Sequence, residues 1–215
     1  KILTKKYLVY EGIPTSDFVI IDKTFFTNLA VNIEALIDNI GLPMVIKAST
    51  QGSSIGVFIV KEKADIANAL EQALAFDKEI LVEKFIDGTE LTAAVIGNDE
   101  PYVFPVIEIT SENEFYDYES KYTQGMCAHI IPARISDEVG KKVMQIAAKV
   151  YKSIGCKGYA RIDFMVDKND KPYVLEINTI PGMTEMSLVP DAAKADGVDF
   201  VDLVDRILKL AIDAK

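Results

Sequence analysis

Residues 160–178 read ARIDFMVDKNDKPYVLEIN. Two β-rich runs, Ala160–Val166 and Pro172–Ile177, flank the polar turn cluster Lys168-Asn169-Asp170, a pattern that predicts a hairpin. Side chains two apart on a strand share a face, so Arg161 sits with Asp163, and Glu176 with Asn178, with Ile162, Phe164 and Ile177 on the opposite side. Pairing of the strands can then gather Asp, Glu, Asn and Arg on one face of a sheet. Three oxygen-bearing side chains on a rigid sheet suit Mg²⁺ when phosphate and water complete its shell. Alternation alone fits a solvated face equally well. The adjoining Thr179-Ile180-Pro181-Gly182-Met183-Thr184 is more structured than plain solvent decoration requires, and it favours a site.

Upstream of the hairpin, Asp137–Ile154 has the spacing of a helix, with Val139, Val143, Ile146, Ala147 and Val150 on one face. Leu91–Ile96 and Tyr102–Ile109 are expected strands joined through Gly97-Asn98, and His129–Pro132 is extended. Thr110–Gly125 is polar, rich in aromatics and without a clear period, the composition of an active-site cover. Downstream, a last amphipathic helix is expected from about Asp199 to Asp213, burying Phe200, Val204, Ile207, Leu208 and Ala211. No element is assigned over 185–198.

The first part of the chain has its own α/β pattern. A short helix over Thr4–Glu11 closes at Gly12 and Pro14. Strands are expected at Phe18–Ile21, Met44–Lys47, Gly56–Lys61 and Glu79–Phe85. Helices are expected at Leu29–Ile40, with Val31, Ala35, Leu36 and Ile40 inward, and at Ala64–Phe76. These elements predict one lobe over residues 1–86 and a second over 87–215.

The chain has 215 residues, 49% hydrophobic and 26% charged, enough apolar material for a substantial core. A formal net charge of −10 argues against a nucleic-acid face, which needs clustered Lys and Arg. It leaves room for a polyphosphate ligand held by a few local cations and a metal. Two cysteines, Cys127 and Cys156, are too few for a disulfide framework and suit a reducing compartment. No apolar run reaches the roughly 20 residues that span a bilayer, so no membrane role is expected and the cytoplasm is the default. The opening at Lys1, directly into a helix, suggests a preceding domain absent from this sequence.

Two further segments carry chemistry. Gln51-Gly52-Ser53-Ser54-Ile55-Gly56 follows a strand bearing Lys47, and small residues let backbone N–H groups close over a phosphate beside that fixed cation. No Gly-Lys-Ser/Thr follows, so it is not a Walker loop, and taken alone the segment reads first as a Gly/Ser-rich hairpin turn. Gly52-Ser53-Ser54-Ile55-Gly56 formally matches a hydrolase nucleophile elbow, but Val57–Val60 reads as strand where the elbow needs a helix. A single histidine, His129, in an apolar run reads as structural and leaves neither zinc nor thiol–histidine chemistry a natural constellation. The stretch Leu81–Glu90 could offer strand-end backbone groups to an adenine edge and Glu90 to a ribose, although by itself it reads as a buried strand end with a charged tail.

In order along the chain, GLPMVIKASTQGSSIG (41–56), ILVEKFIDGTE (80–90), FYDYESKY (115–122), GCKGYARIDF (155–164) and LEINTIPGMTEMSLVP (175–190) resemble the D-alanine–D-alanine ligase family over essentially the whole chain. The resemblance implies an α+β ATP-grasp fold, two α/β lobes with nucleotide bound between their sheets, the family's N-terminal substrate domain being absent. It implies that Lys1 and Lys47 bind ATP phosphates and that the loop with Ser53 and Ser54 folds over them. Glu83, Lys84, Phe85 and Ile86 would hold adenine, and Glu90 the ribose. Asp163, Glu176 and Asn178 would hold two Mg²⁺ ions, with Mn²⁺ a possible substitute. Arg161 and the Gly182 backbone would stabilise an oxyanion. Lys121 and Ser187 would take the second D-alanine's carboxylate, and Tyr122 would hydrogen-bond Ser53. The implied partners are D-alanine and ATP, with a homodimer expected of the full-length enzyme. Another ATP-grasp carboxylate–amine ligase, or a nucleotide-binding fragment without catalysis, would share much of this pattern.

Overall fold

A computed structural model describes residues 1–111 and 127–214, which fall into two compact units. Among the described residues the first comprises Lys1–Lys6 and Ser16–Ile86, and the second Tyr7–Thr15, Asp87–Ser111 and 127–214. The helix α1 (Ile2–Tyr10) therefore contributes residues to each.

The first unit is built on a four-stranded antiparallel sheet of β1 (Phe18–Asp22), β2 (Met44–Ala48), β3 (Val57–Val60) and β4 (Glu79–Lys84), in the order β1-β4-β2-β3. Strand alternation sends Met44, Ile46, Ile80 and Val82 into a core with Ile33, Leu36 and Ile40 of α2 (Leu29–Ile40) and Ile66 and Leu70 of α3 (Ile66–Leu74). The same alternation turns Lys47 and Glu83 to the other face. Val45 lies opposite Glu83 in the register, so Lys47 and Glu83 are diagonal neighbours across β2 and β4. On α2 the inward residue is Ile33, and Val31 is 70% exposed. Ala35 is exposed as well: Val31 stands about 140° and 180° around the helix from Leu36 and Ile40, whereas Ile33 lies within about 60° of both and completes their face.

The second unit contains a six-stranded antiparallel sheet. Strands β10 (Pro172–Asn178), β9 (Gly158–Asp167), β5 (Gly88–Gly97), β7 (Ile107–Ser111) and β8 (Cys127–Ile130) follow in that order, and β6 (Tyr102–Val103) pairs with β5. One face packs on α4 (Asp137–Ile154), where Val139, Val143, Ala147 and Val150 meet Leu91, Ala93, Val95, Ile162 and Phe164. Ser136 caps α4 by accepting from the Val139 N–H at 3.3 Å, and Gly155 ends it in the left-handed region at φ +79°. Two further helices, α5 (Leu188–Ala195) and α6 (Phe200–Asp213), pack on β5 and β9.

Further elements differ from the sequence-based expectation. Tyr102–Ile109 is two strands separated by Phe104–Val106, because Pro105 has no N–H for a ladder. The helix α5 was not expected, although Pro190 is its third residue. A first-turn N–H has no intrahelical partner, so proline is tolerated there. On α6 the buried residue is Leu203, while Leu208 and Ala211 are exposed. Apolar residues occur on several faces of α6, and the period alone does not say which one meets the sheet.

Gly88 opens β5 where it runs against β9, and a Cβ there would stand 1.9 Å from the Val166 carbonyl oxygen. Gly88→Ala is expected to lower the unfolding free energy by about 3 kcal/mol in urea titration. Gly52→Ala, which meets no atom within 4 Å, should stay within about 0.5 kcal/mol of the parent.

Candidate functional site

The charged face of the β9–β10 hairpin depends on one extra residue. Val174 pairs with Phe164, but Glu176 pairs with Asp163, so Leu175 is a bulge. Regular pairing would set Leu175 opposite Asp163 and turn Glu176 to the side of Ile162, into the core. With the bulge, Pro172 and Val174 face the core before it and Ile177 faces the core after it. Glu176 and Asn178 then stand directly across from Asp163 and Arg161.

On this face Asp163, 8% exposed, gathers the hydrogen bonds. The Arg161 guanidinium donates to both of its oxygens, Nε to Oδ1 and Nη2 to Oδ2, each at 2.8 Å. Thr92, opposite Asp163 on β5, donates its hydroxyl to Oδ1 at 2.6 Å. The Asn178 amide donates to Oδ2 at 2.9 Å and lies 3.5 Å from Glu176 Oε1. Sequence reasoning missed Thr92. Its signal is that it is the one polar residue in the apolar run Leu91–Ile96, and it is 1% exposed.

As a cation site this face supplies two carboxylates and an amide, all hard oxygen donors of the kind Mg²⁺ prefers. Among the described residues no group of three or more His, Cys, Asp or Glu could hold a metal, so Asn178 would have to be the third donor. Its amide presents N–H to the carboxylates in this arrangement. Turning it over would present Oδ1 instead.

Beyond β10 the chain tightens around Ser187. The Ser187 hydroxyl accepts from the Thr184 N–H at 3.0 Å and lies 2.9 Å from the Thr184 hydroxyl. A Cβ on Gly182 would come within 3.1 Å of Ser187 Oγ, so Gly182 permits this approach. His129 Nδ1 lies 2.7 Å from Asp191 Oδ2 and ties β8 to α5, a structural contact within the second unit.

In the first unit the loop after β2 carries Ser53 and Ser54 at φ 48° and 60°, left-handed conformations uncommon for residues other than glycine. Gly56 closes the loop at φ 68°, where a Cβ would strike Ala48 Cβ at 2.8 Å. The Lys1 ammonium donates to the Gln51 carbonyl, bringing that cation to the loop. Lys84 is exposed, and its N–H donates to the Asp17 carbonyl at 2.9 Å. Phe85 and Ile86 are half-buried, and the Phe85 N–H reaches the Pro43 carbonyl at 3.3 Å. Glu90 lies on β5 in the second unit and is half-buried. Lys121 and Tyr122 lie outside the described residues.

Glu83 points inward from this region. Its carboxylate, 2% exposed, pairs with both Lys47 and Lys5 and accepts from the Ser16 hydroxyl at 2.9 Å. Burial pushes the carboxyl up, but the two ammonium groups outweigh burial and hold it at about 2. Burial also pushes the Lys5 ammonium down, with Glu83 pulling it back. Neither Lys5 nor Ser16 was anticipated from sequence.

The family model "D-ala D-ala ligase C-terminus" matches residues 8–209. The D-alanine–D-alanine ligase of Carboxydothermus hydrogenoformans is 48% identical over 100% of this chain and 69% of its own length. That of Pelotomaculum thermopropionicum is 47% identical, over 99% and 68%. Among solved structures, the Bacillus anthracis D-alanine–D-alanine ligase complexed with ATP superposes with a TM-score of 0.80 at 34% identity, covering 100% of this chain and 66% of that one. The VanG D-Ala:D-Ser ligase of Enterococcus faecalis superposes with a TM-score of 0.83 at 33% identity, over 96% and 60%.

The shared carboxylate has a measurable consequence. A carboxyl whose folded value is depressed from 4.5 to about 2 stabilises the fold above pH 4.5, and that stability is lost as pH falls through this window toward 2. Carbon-13 carboxyl NMR should show Glu83 titrating near 2. Urea unfolding should lose on the order of 3 kcal/mol from this group between pH 5 and 2. A Glu83 midpoint near 4.5 would contradict the paired arrangement.

Proposed function

Because the chain belongs to the D-alanine–D-alanine ligase family, we propose that it carries the nucleotide and metal groups of an ATP-dependent ligase that joins two D-alanines into D-alanyl-D-alanine for peptidoglycan precursors. The observation that carries this reading is the single sheet face on which the bulged hairpin assembles Arg161, Asp163, Glu176 and Asn178. The curated relatives at 48% and 47% identity bear the D-alanine–D-alanine name, whereas the D-Ala:D-Ser ligase lies at 33%, which favours D-alanine as the second substrate.

A carboxylate is a poor electrophile, so the reaction needs activation before an amine can attack. In this reading a carboxylate oxygen of the first D-alanine attacks the γ-phosphorus of ATP, ADP leaves, and an acyl phosphate results. The amine of the second D-alanine then attacks the acyl carbon, gives up a proton and expels phosphate. Lys1 and Lys47 hold the phosphates, and the loop with Ser53 and Ser54 closes over them. The segment Glu83–Ile86 offers backbone groups to adenine, with Lys84 contributing its side chain and Glu90 the ribose contact. The Glu83 side chain is engaged with Lys5 and Lys47, so its part in adenine binding falls to the backbone. Asp163, Glu176 and Asn178 would hold Mg²⁺, which when bound neutralises charge on the transferring phosphoryl group. Arg161 and the Gly182 N–H stabilise the tetrahedral oxyanion. Lys121 and Ser187 orient the second substrate's carboxylate, and Tyr122 with Ser53 shields the acyl phosphate from water. No described helix is long and apolar enough to cross a membrane. We place the reaction in the cytoplasm.

Calorimetric titration with a non-hydrolysable ATP analogue, with and without Mg²⁺, tests the site. Binding that strengthens at least about tenfold with Mg²⁺ is expected, and Asp163→Asn with Glu176→Gln should abolish that gain. Equal Mg²⁺ dependence in the double variant would remove the metal assignment.

A further inference from the structure

Lys5 stands outside the roles proposed above, yet it is among the most deeply buried large side chains, at 1% exposure. A lysine is driven into a protein interior only where partners offset the loss of water. Lys5 has an ion pair with Glu83, a 2.7 Å hydrogen bond to Ser16 Oγ, and the Phe18 ring 5.8 Å from its ammonium. Ser16 in turn donates to Glu83 Oε1 at 2.9 Å, which closes a ring of three polar groups. The other oxygen of the same carboxylate, Oε2, pairs with Lys47, whose side chain is 17% exposed. Among the described residues, the charged groups acting on Lys5 include Glu83 on β4, Lys47 on β2 and Asp17 just before β1.

One carboxylate shared by two ammonium groups leaves a net charge of +1 on the trio. Remove Lys5, and within this set the charges of Glu83 and Lys47 sum to zero. We infer that Lys5 is a positioning residue which, by engaging one oxygen of Glu83 together with Ser16, keeps the charge of Lys47 available to a polyphosphate and aims its ammonium outward from β2. This rests on the nucleotide reading above. Lys5 touches no ligand in this scheme; it acts through Glu83.

The test combines two independent readouts on the same protein. In Lys5→Met the Lys47 titration midpoint, followed by NMR of ¹³Cε-labelled lysine, should rise by about one unit, since Glu83 then serves Lys47 alone. Affinity for the ATP analogue should fall about tenfold while affinity for adenosine, which carries no phosphate, is unchanged. Adding Glu83→Gln to Lys5→Met restores the net charge of +1 and should recover most of the analogue affinity, a rescue that a packing role for Lys5 would not produce. An unmoved Lys47 midpoint in Lys5→Met, or equal weakening of analogue and adenosine, would overturn the inference. Failure of the unsubstituted protein to bind the analogue would instead overturn the nucleotide reading, and the Lys47 midpoint would still decide the role of Lys5.

Discussion

A single unpaired residue, Leu175, organises the second unit. A strand has two faces, and β10 must serve a hydrophobic core on one and a polar constellation on the other. Its own alternation cannot satisfy both, because Val174 and Ile177 are three apart and both face α4. The bulge absorbs the odd step. It costs one rung of the ladder and places Glu176 and Asn178 across from Asp163 and Arg161. On the other side of β9, strand β5 repeats the logic without a bulge, with Leu91, Ala93 and Val95 in the core and Thr92 turned to Asp163. Rigid antiparallel pairing, with Arg161 bidentate on Asp163, orders this face.

The first unit solves a different problem. Its sheet must present Lys47 on the face away from the core while Glu83, two rungs along the neighbouring strand, is buried on that same face. Burying a carboxylate is tolerable only with charge and hydrogen-bond partners, and these come from Lys5 and Ser16 at distant points of the chain. Breaking such a set by removing one member commonly costs about 3–5 kcal/mol, so the trio is a structural element as much as an electrostatic one.

Much of this was legible in the residues. The helix limits Leu29–Ile40 and Asp137–Ile154 follow from their caps and period, and the facing pairs Arg161/Asp163 and Glu176/Asn178 follow from spacing. The phase linking those pairs did not, because it depends on a bulge whose only trace is the three-residue step from Val174 to Ile177. Lys5 and Lys6 look alike in sequence, and tertiary packing buries one and exposes the other. No element was assigned around Pro190, which the structure places in the first turn of α5. On α6, Leu203 and Leu208 compete for the core at the same period, and the sheet selects Leu203.

The most direct measurement is D-alanine-stimulated phosphate release from ATP by the protein that carries this chain, with the product identified by mass spectrometry. The predicted result is one phosphate released per D-alanyl-D-alanine formed, with both lost when Asp163→Asn and Glu176→Gln are combined. Phosphate release indifferent to D-alanine, or dipeptide formed undiminished by that variant, would contradict the assignment of the β9–β10 face to ligation.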